Sequence, residues 1–321
     1  MLVPVLLFAL GLLLLIKGGD WFVDGATGFA RRFRVPELLI GATIVSLGTT
    51  LPEVMVSATS AMGGHGEIAY GNAVGSIICN TSLIAAITMT VRPCPVDKKA
   101  MRQPVIFFFA TAVFYLAVSY AFGRYSRLTG FLLMGIFILY TVLSVRQARR
   151  EPTEECEDSA FKEEPVWKNS AQLIVGAICI AYGADLLVDN GTLIAKALGV
   201  PESVIGLTFV ALGTSLPELV TAITSLAKGH GALSLGNIIG ANLFNMVIVT
   251  GISAALSPFT VPDGMKILGI SSALLVELPL MVTVMAILCF PALKRGKVTR
   301  TQGITLLCIY AAFCAFQFTC S

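Results

Sequence analysis

The chain has 321 residues, of which 56% are hydrophobic and only 13% charged, and its mean hydropathy is +0.84. Soluble domains carry roughly 25% charged residues, so too little polar side chain exists here to cover a water-soluble particle, and a large soluble domain is excluded. A net charge of +3, scattered along the sequence, gives no basis for nucleic-acid binding.

A helix that spans a bilayer needs about 20 mostly apolar residues. Ten stretches meet that length, at roughly 2–22, 38–62, 68–91, 104–122, 127–146, 170–189, 203–227, 233–256, 266–290 and 301–319. The first lacks a basic leader and an A-x-A cleavage site and has a counterpart later in the chain, so it reads as a retained helix. The expected fold is an all-α polytopic membrane protein of ten helices, with a first half at 1–146, a linker at 147–168 and a second half at 169–321.

That linker holds Glu151, Glu154, Glu155, Glu157, Asp158, Glu163 and Glu164 without the glycine-centred spacing of a calcium loop, and it reads as a solvated connection. With the N-terminus outside, 18 of the 22 lysines and arginines fall on the inner side, and only Arg124, Arg127, Lys196 and Lys266 fall outside. The bias places both termini outside and the acidic linker in the cytoplasm of a cell (inner) membrane protein.

The second half repeats the first. Adding 165 carries Asp20 to Asp185, Asp24 to Asp189, Pro36-Glu37 to Pro201-Glu202 and Pro93 to Pro258 without a gap. Positions 36–80 and 201–245 are identical at 21 of 45 places, including Gly, Pro, Glu, His and Asn that shared apolar composition does not produce. Five spans per copy reverse the second copy in the membrane. Inverted repeats with helix breakers at matched positions point to a transporter whose site lies at the midplane.

The breakers mark the chemistry. Span two contains Gly48-Thr49-Thr50-Leu51-Pro52-Glu53 and span seven Gly213-Thr214-Ser215-Leu216-Pro217-Glu218. Each proline withholds an N–H and kinks its helix, which makes the freed carbonyls near Ser46 to Gly48 and Ala211 to Gly213 candidate ligands. Each glutamate stands about fifteen residues into its span, where a charge costs about 2.5–3.5 kcal/mol, and no Lys or Arg lies in the central part of any span to neutralise it. Two carboxylates with hydroxyls and carbonyls make an all-oxygen set suited to hard cations such as Na⁺ and Ca²⁺. Spans three and eight carry Gly71-Asn72-Ala73-Val74-Gly75-Ser76 through Asn80 and Gly236-Asn237-Ile238-Ile239-Gly240-Ala241 through Asn245. Glycines four apart allow close helix approach, and Ser76 and Asn80 share a helix face.

These paired G-T-[ST]-L-P-E and G-N-x-x-G-[SA]-x-x-x-N segments resemble the two alpha-repeats of the cation/calcium exchanger superfamily, which includes the sodium/calcium exchangers. The likeness runs from about residue 4 to 319. It implies a ten-helix antiporter, not an enzyme, that exchanges Ca²⁺ for Na⁺ by alternating access, its first and sixth helices sliding over the core. The matching ion ligands are Thr49, Thr50, Glu53, Ser76 and Asn80 in the first repeat and Thr214, Ser215, Glu218 and Asn245 in the second, with carbonyls near Ser46 and Ala211. No cofactor is implied; the partners are Ca²⁺, Na⁺ and the bilayer, and one copy of the chain carries the whole set. Two departures stand out. Ala241 replaces the hydroxyl that Ser76 supplies, and Asn245 stands where many members carry Asp. They keep Ca²⁺/H⁺ or K⁺-dependent exchange open as the alternative.

Among the remaining polar residues, Asp20, Asp24, Asp185 and Asp189 read as interfacial caps or partners of Arg31 and Arg32, and Glu277 either as a proton-linked group or as an internally bonded carboxyl. His65 and His230 sit in Gly-His-Gly turns on opposite sides and share no metal. Cys79, Cys94, Cys156, Cys179, Cys289, Cys308, Cys314 and Cys320 form no CxxC pair and read as small buried hydrophobes. A channel also uses midplane carboxylates, but inverted broken helices favour a carrier. An intramembrane hydrolase lacks its Ser/His or HExxH set.

Overall fold

The computed structural model describes residues 2–150, 165–198, 213–263, 266–267 and 269–320. The acidic linker, Glu202 and Ala211 lie outside the described residues. Seven helices are long and apolar enough to cross a membrane, or eight when one bent pair counts as a single span.

The chain opens with α1 (Leu2–Arg32), which ends at two arginines; Arg34 then takes a positive φ of 52° and Pro36 turns the backbone into the next helix. The bent pair follows, as α2 (Glu37–Thr49) and α3 (Leu51–Met62), with a 44° angle between them. Pro52 sits in the first turn of α3, where its missing N–H costs the helix nothing but denies the Gly48 carbonyl a partner. Next come α4 (Gly66–Val91), α5 (Lys98–Phe122), α6 (Arg127–Arg150) and α7 (Val166–Ala197). The described part closes with α8 (Leu216–Ala227), α9 (Gly231–Leu256), α10 (Ala273–Arg295) and α11 (Arg300–Cys320).

Burial divides these helices into an inner and an outer set. The apolar stretch of α9 is 89% buried and that of α4 72%, against 22% for α1 and 28% for α7. The main core gathers on the inner helices, around Tyr70, Ile77, Phe108, Ile238, Phe244 and Met285. A smaller core joins α1 to α7 through Leu15, Phe22, Val23, Leu173 and Ile180.

Glycine makes that outer pair close. A Cβ on Gly11 would stand 2.8 Å from the Gly183 carbonyl oxygen, and one on Gly176 2.6 Å from the Phe22 amide nitrogen and 2.8 Å from the Gly18 carbonyl oxygen. Gly11 and Gly18 map onto Gly176 and Gly183 at the repeat offset, and each packs on the other's counterpart. The turns repeat in the same way. Gly64 and Gly229 have φ of 83° and 87°, and the His65 and His230 amides donate to Ser60 O and Ser225 O. A stretch of π-helix follows each repeat's motif asparagine, at Asn80–Ala85 and Asn245–Val249.

Three expectations change. The helices α1 and α7 run on to Arg32 and Ala197, past the apolar limits at 22 and 189; the glycine-lined contact of α1 continues through Gly25 and Gly28, which pack on Leu173 and Asn169. The ninth helix starts at Ala273 rather than 266. Two antiparallel strands precede it, β3 (Lys266–Ile267) and β4 (Ile270–Ser271), turned by Gly269 at φ 83°. Another small pair, β1 (Arg124–Tyr125) with β2 (Phe259–Thr260), ties the loop after α5 to the chain beyond α9. Finally, of the unpaired described cysteines only Cys79 and Cys289 are buried, and Cys308 is exposed.

The glycine contact yields a stability test. Gly176→Ala forces a methyl against backbone atoms that cannot retreat alone and should cost about 1–3 kcal/mol. Gly135→Ala, on exposed α6 with no described atom within 4 Å of the new methyl, should cost nothing measurable. Thermal unfolding of the purified variants checks this, and equal melting temperatures would contradict the packing.

Candidate functional site

Two helix N-termini place two carboxylates in the interior. Glu53 and Glu218 each occupy the first turn of a helix, α3 and α8, and each is fully buried. A helix N-terminus carries partial positive charge, so both carboxyls sit where the backbone favours an anion. They lie close enough for Glu53 to feel the charge of Glu218.

Reciprocal packing brings the two repeats together around them. The Asn80–Ala85 segment of α4 packs on α8, and its counterpart Asn245–Val249 of α9 packs on α3. Thr49 Oγ1 donates to Asn237 Oδ1 at 3.2 Å, and its counterpart Thr214 Oγ1 donates to Asn72 Oδ1 at 3.1 Å. Each threonine thus reaches the asparagine of the other repeat. Asn72 also donates to the Glu53 carbonyl oxygen at 3.3 Å and to Ser57 Oγ at 2.9 Å. It thereby ties α4 to the carboxylate-bearing α3.

Several oxygens at this junction have no partner. Thr50 Oγ1, both carboxylate oxygens of Glu53, both of Glu218, Asn80 Oδ1 and Asn245 Oδ1 are buried without a hydrogen bond among the described residues. Buried polar atoms are almost always paired, and a concentration of unpaired acceptors marks a functional position. The amide nitrogens of Asn80, Asn245 and Asn237 are unpaired beside them, and the seven oxygens alone match in number the six to eight oxygen ligands of Ca²⁺. No group of three His, Cys, Asp or Glu side chains that could hold a metal exists among the described residues, so the set is amide and hydroxyl as much as carboxylate.

The structure therefore brings Thr49, Thr50, Glu53, Ser76, Asn80, Ser215, Glu218 and Asn245 into the buried interior, with Thr214 half-buried beside them. Ser46 differs from expectation. Its carbonyl accepts from the Thr50 amide at 3.0 Å and from Thr49 Oγ1 at 3.4 Å, because the helix continues past it before Pro52 interrupts. Its hydroxyl instead bridges Gly41 O and Asn237 O at 2.6 and 2.9 Å. Asn72 and Asn237 were not among the expected site residues. Their matched positions in both repeats were the available signal.

Outside the junction, Lys228 is the partner found for Asp20 and Asp24, at 3.4 and 2.7 Å, where Arg31 and Arg32 were expected. His230 Nδ1 lies 2.8 Å from Glu37 Oε1. Glu277 accepts from Ser272 at 3.4 Å, in the manner of an internally bonded carboxyl.

The model of the sodium/calcium exchanger protein family matches residues 3–146 and 168–319. The chain belongs to the sodium/calcium exchanger family. Solved structures of the sodium-calcium exchanger NCX_Mj share its fold; one superposes with a TM-score of 0.83 at 31% identity, covering 98% of both chains. Among curated relatives, inner membrane protein YrbG of Escherichia coli is 36% identical over 80% of this chain and 81% of its own. Sodium/calcium exchanger MaX1 of Methanosarcina acetivorans is 28% identical over 98% and 99%. The exchanger is thus a multi-pass membrane cation antiporter and not an enzyme.

The two repeats of this exchanger are not chemically equal. Serines at 46, 57 and 76 in the first correspond to alanines at 211, 222 and 241 in the second. The consequences are visible. Ser215 Oγ donates to Ser76 Oγ at 3.5 Å, whereas the corresponding pair at the repeat offset is Thr50 and Ala241, and Thr50 Oγ1 stays unpaired. Asn72 Nδ2 bonds Ser57, but Asn237 Nδ2, with Ala222 in that role, has no partner. Ala241→Ser should therefore give Thr50 a partner and stabilise the protein by about 0.5–1.5 kcal/mol, and Ser76→Ala should destabilise it by a similar amount. Chemical denaturation measures both, and no change in either would show that the two positions are not equivalent.

Proposed function

We propose that this antiporter exchanges Ca²⁺ for Na⁺ across a cell (inner) membrane, using one site shared by Glu53 and Glu218. The observation that carries the reading is the buried pair of carboxylates among unpaired oxygens. Thr49, Thr50, Ser76, Asn80, Thr214, Ser215 and Asn245 complete the ligand set, with carbonyls near Gly48 and Ala211. Ten spans form two inverted halves, with both termini outside and the acidic linker in the cytoplasm. The reciprocal threonine–asparagine bonds support this arrangement, since inversion by the repeat axis exchanges one bond for the other. Two halves of nearly equal energy can exchange conformations, which opens the same site first to one side and then to the other. The outer pair, α1 and α7, joined by glycine contacts and a small core of its own, moves as the gate.

Charge sets the stoichiometry. The site contributes two negative charges, from Glu53 and Glu218, because position 245 is Asn. A loaded site at bilayer depth must be close to neutral, since an uncompensated charge there is costly. One Ca²⁺ or two Na⁺ satisfies that condition. Exchange is then electroneutral.

Proteoliposomes containing the purified protein test this with Na⁺, K⁺ or pH gradients imposed one at a time. An outward Na⁺ gradient should drive uptake of radioactive Ca²⁺, and clamping the membrane potential at opposite signs should leave the initial rate within about twofold, against the tenfold-scale response a net charge movement gives at 100 mV. Uptake driven only by a pH gradient would establish proton coupling instead, the alternative that Ala241 and Asn245 leave open. Strong potential dependence would show that a further charge moves.

A further inference from the structure

A cleft of about 640 Å³ lies between the start of α5 and the end of α6, away from the carboxylate site. Its α5 side is built from Lys99, Arg102, Gln103, Ile106 and Phe107, whose spacing of three, one, three and one places them on a single helix face. Its α6 side is Leu143, Arg146 and Gln147. The two helices are antiparallel across a short turn, so both polar ends come to the same membrane surface.

Three cations converge on this cleft, and none has a carboxylate partner among the described residues. A general excess of positive charge on one side of a membrane explains cations at this level. It does not explain three around one cleft. The amides beneath them are fixed: Gln103 Nε2 donates to Ser144 Oγ at 3.0 Å and Gln147 Nε2 to the Lys99 carbonyl at 3.2 Å. That leaves Gln147 Oε1 buried, an acceptor with no donor. Deeper along both helices the lining becomes apolar, with Ile106, Phe107 and Leu143 one turn inside the charged ring.

We propose that this cleft binds an anionic phospholipid. The chemistry descends in the order of such a molecule. Lys99, Arg102 and Arg146 neutralise the headgroup phosphate, Gln147 Oε1 accepts from a headgroup hydroxyl of the glycerol kind, and Ile106, Phe107 and Leu143 receive the first acyl carbons. Free phosphate satisfies the cations alone and leaves both the acceptor and the apolar floor without a function. Basic pockets between membrane helices recognise lipid headgroups on these terms.

Thermal unfolding of the full chain in neutral detergent, titrated with phosphatidylglycerol, phosphatidylcholine or inorganic phosphate, tests the site. Phosphatidylglycerol should stabilise at a concentration at least tenfold lower than phosphatidylcholine, and millimolar phosphate should neither stabilise nor compete. With each cation contributing about fivefold to affinity, Arg102→Ala/Arg146→Ala should raise the phosphatidylglycerol requirement by roughly thirtyfold and leave phosphatidylcholine unchanged. Arg102→Lys/Arg146→Lys should retain most of the effect, and Lys297→Ala, outside the cleft, all of it. Should the double alanine variant not fold, lipid retained by the wild type in native mass spectrometry gives the same answer, with phosphatidylglycerol lost as salt rises and phosphatidylcholine not. Equal response to both lipids, full competition by phosphate, or an unchanged double variant would overturn the proposal.

Discussion

A carboxylate carried from water to the middle of a bilayer loses its hydration and must recover that free energy from the protein or from a bound ion. Glu53 and Glu218 face this requirement together, fully buried and near each other, and the sequence holds no lysine or arginine from 35 to 91 or from 197 to 227. The fold eases it in part by standing each carboxylate at a helix N-terminus. Hydrogen bonding does not finish the task, because all four carboxylate oxygens are unpaired. What remains is a demand for a cation, and that demand is the physical basis of binding.

Duplication supplies the geometry. One sequence unit carries a broken helix, a small-residue helix and an amide at the start of a π-helical stretch. Two copies of it bring both carboxylates into the interior and let each half brace the other, as Thr49 with Asn237 and Thr214 with Asn72. The same reciprocal packing pairs Gly11 with Gly183 and Gly18 with Gly176 in the outer helices. The inner pair α4 and α9 is buried and held by side-chain hydrogen bonds, whereas α1 and α7 adhere through close backbone contact and few polar bonds. Such a division suits a rigid core with a mobile outer pair.

The repeat, its offset and the burial of most candidate site residues were legible in the sequence because they rest on residue type and spacing, which the helical period converts directly into position. The hydrogen-bond pattern was not. Thr49 and Asn237 are 188 residues apart, and nothing local to either shows that the two would meet. The Ser46 carbonyl illustrates the opposite difficulty: proline at 52 predicts a free carbonyl, but which one depends on how far the helix persists, and that is set by packing of α2 on α9. The pairing of Asp20 and Asp24 with Lys228 was hidden for the same reason, since a nearer arginine in sequence is not nearer in space. At 266–271 apolar character alone suggested a helix, and Gly269 made a hairpin instead.

The central claim is that Glu53 and Glu218 share one cation, and calorimetric titration of Ca²⁺ into the purified, Na⁺-free protein measures it most directly. One Ca²⁺ should bind per chain, and Glu53→Gln and Glu218→Gln, which keep shape but remove one charge each, should each abolish the binding heat while the protein remains folded. Binding of one Ca²⁺ that survives in either variant would contradict a shared site.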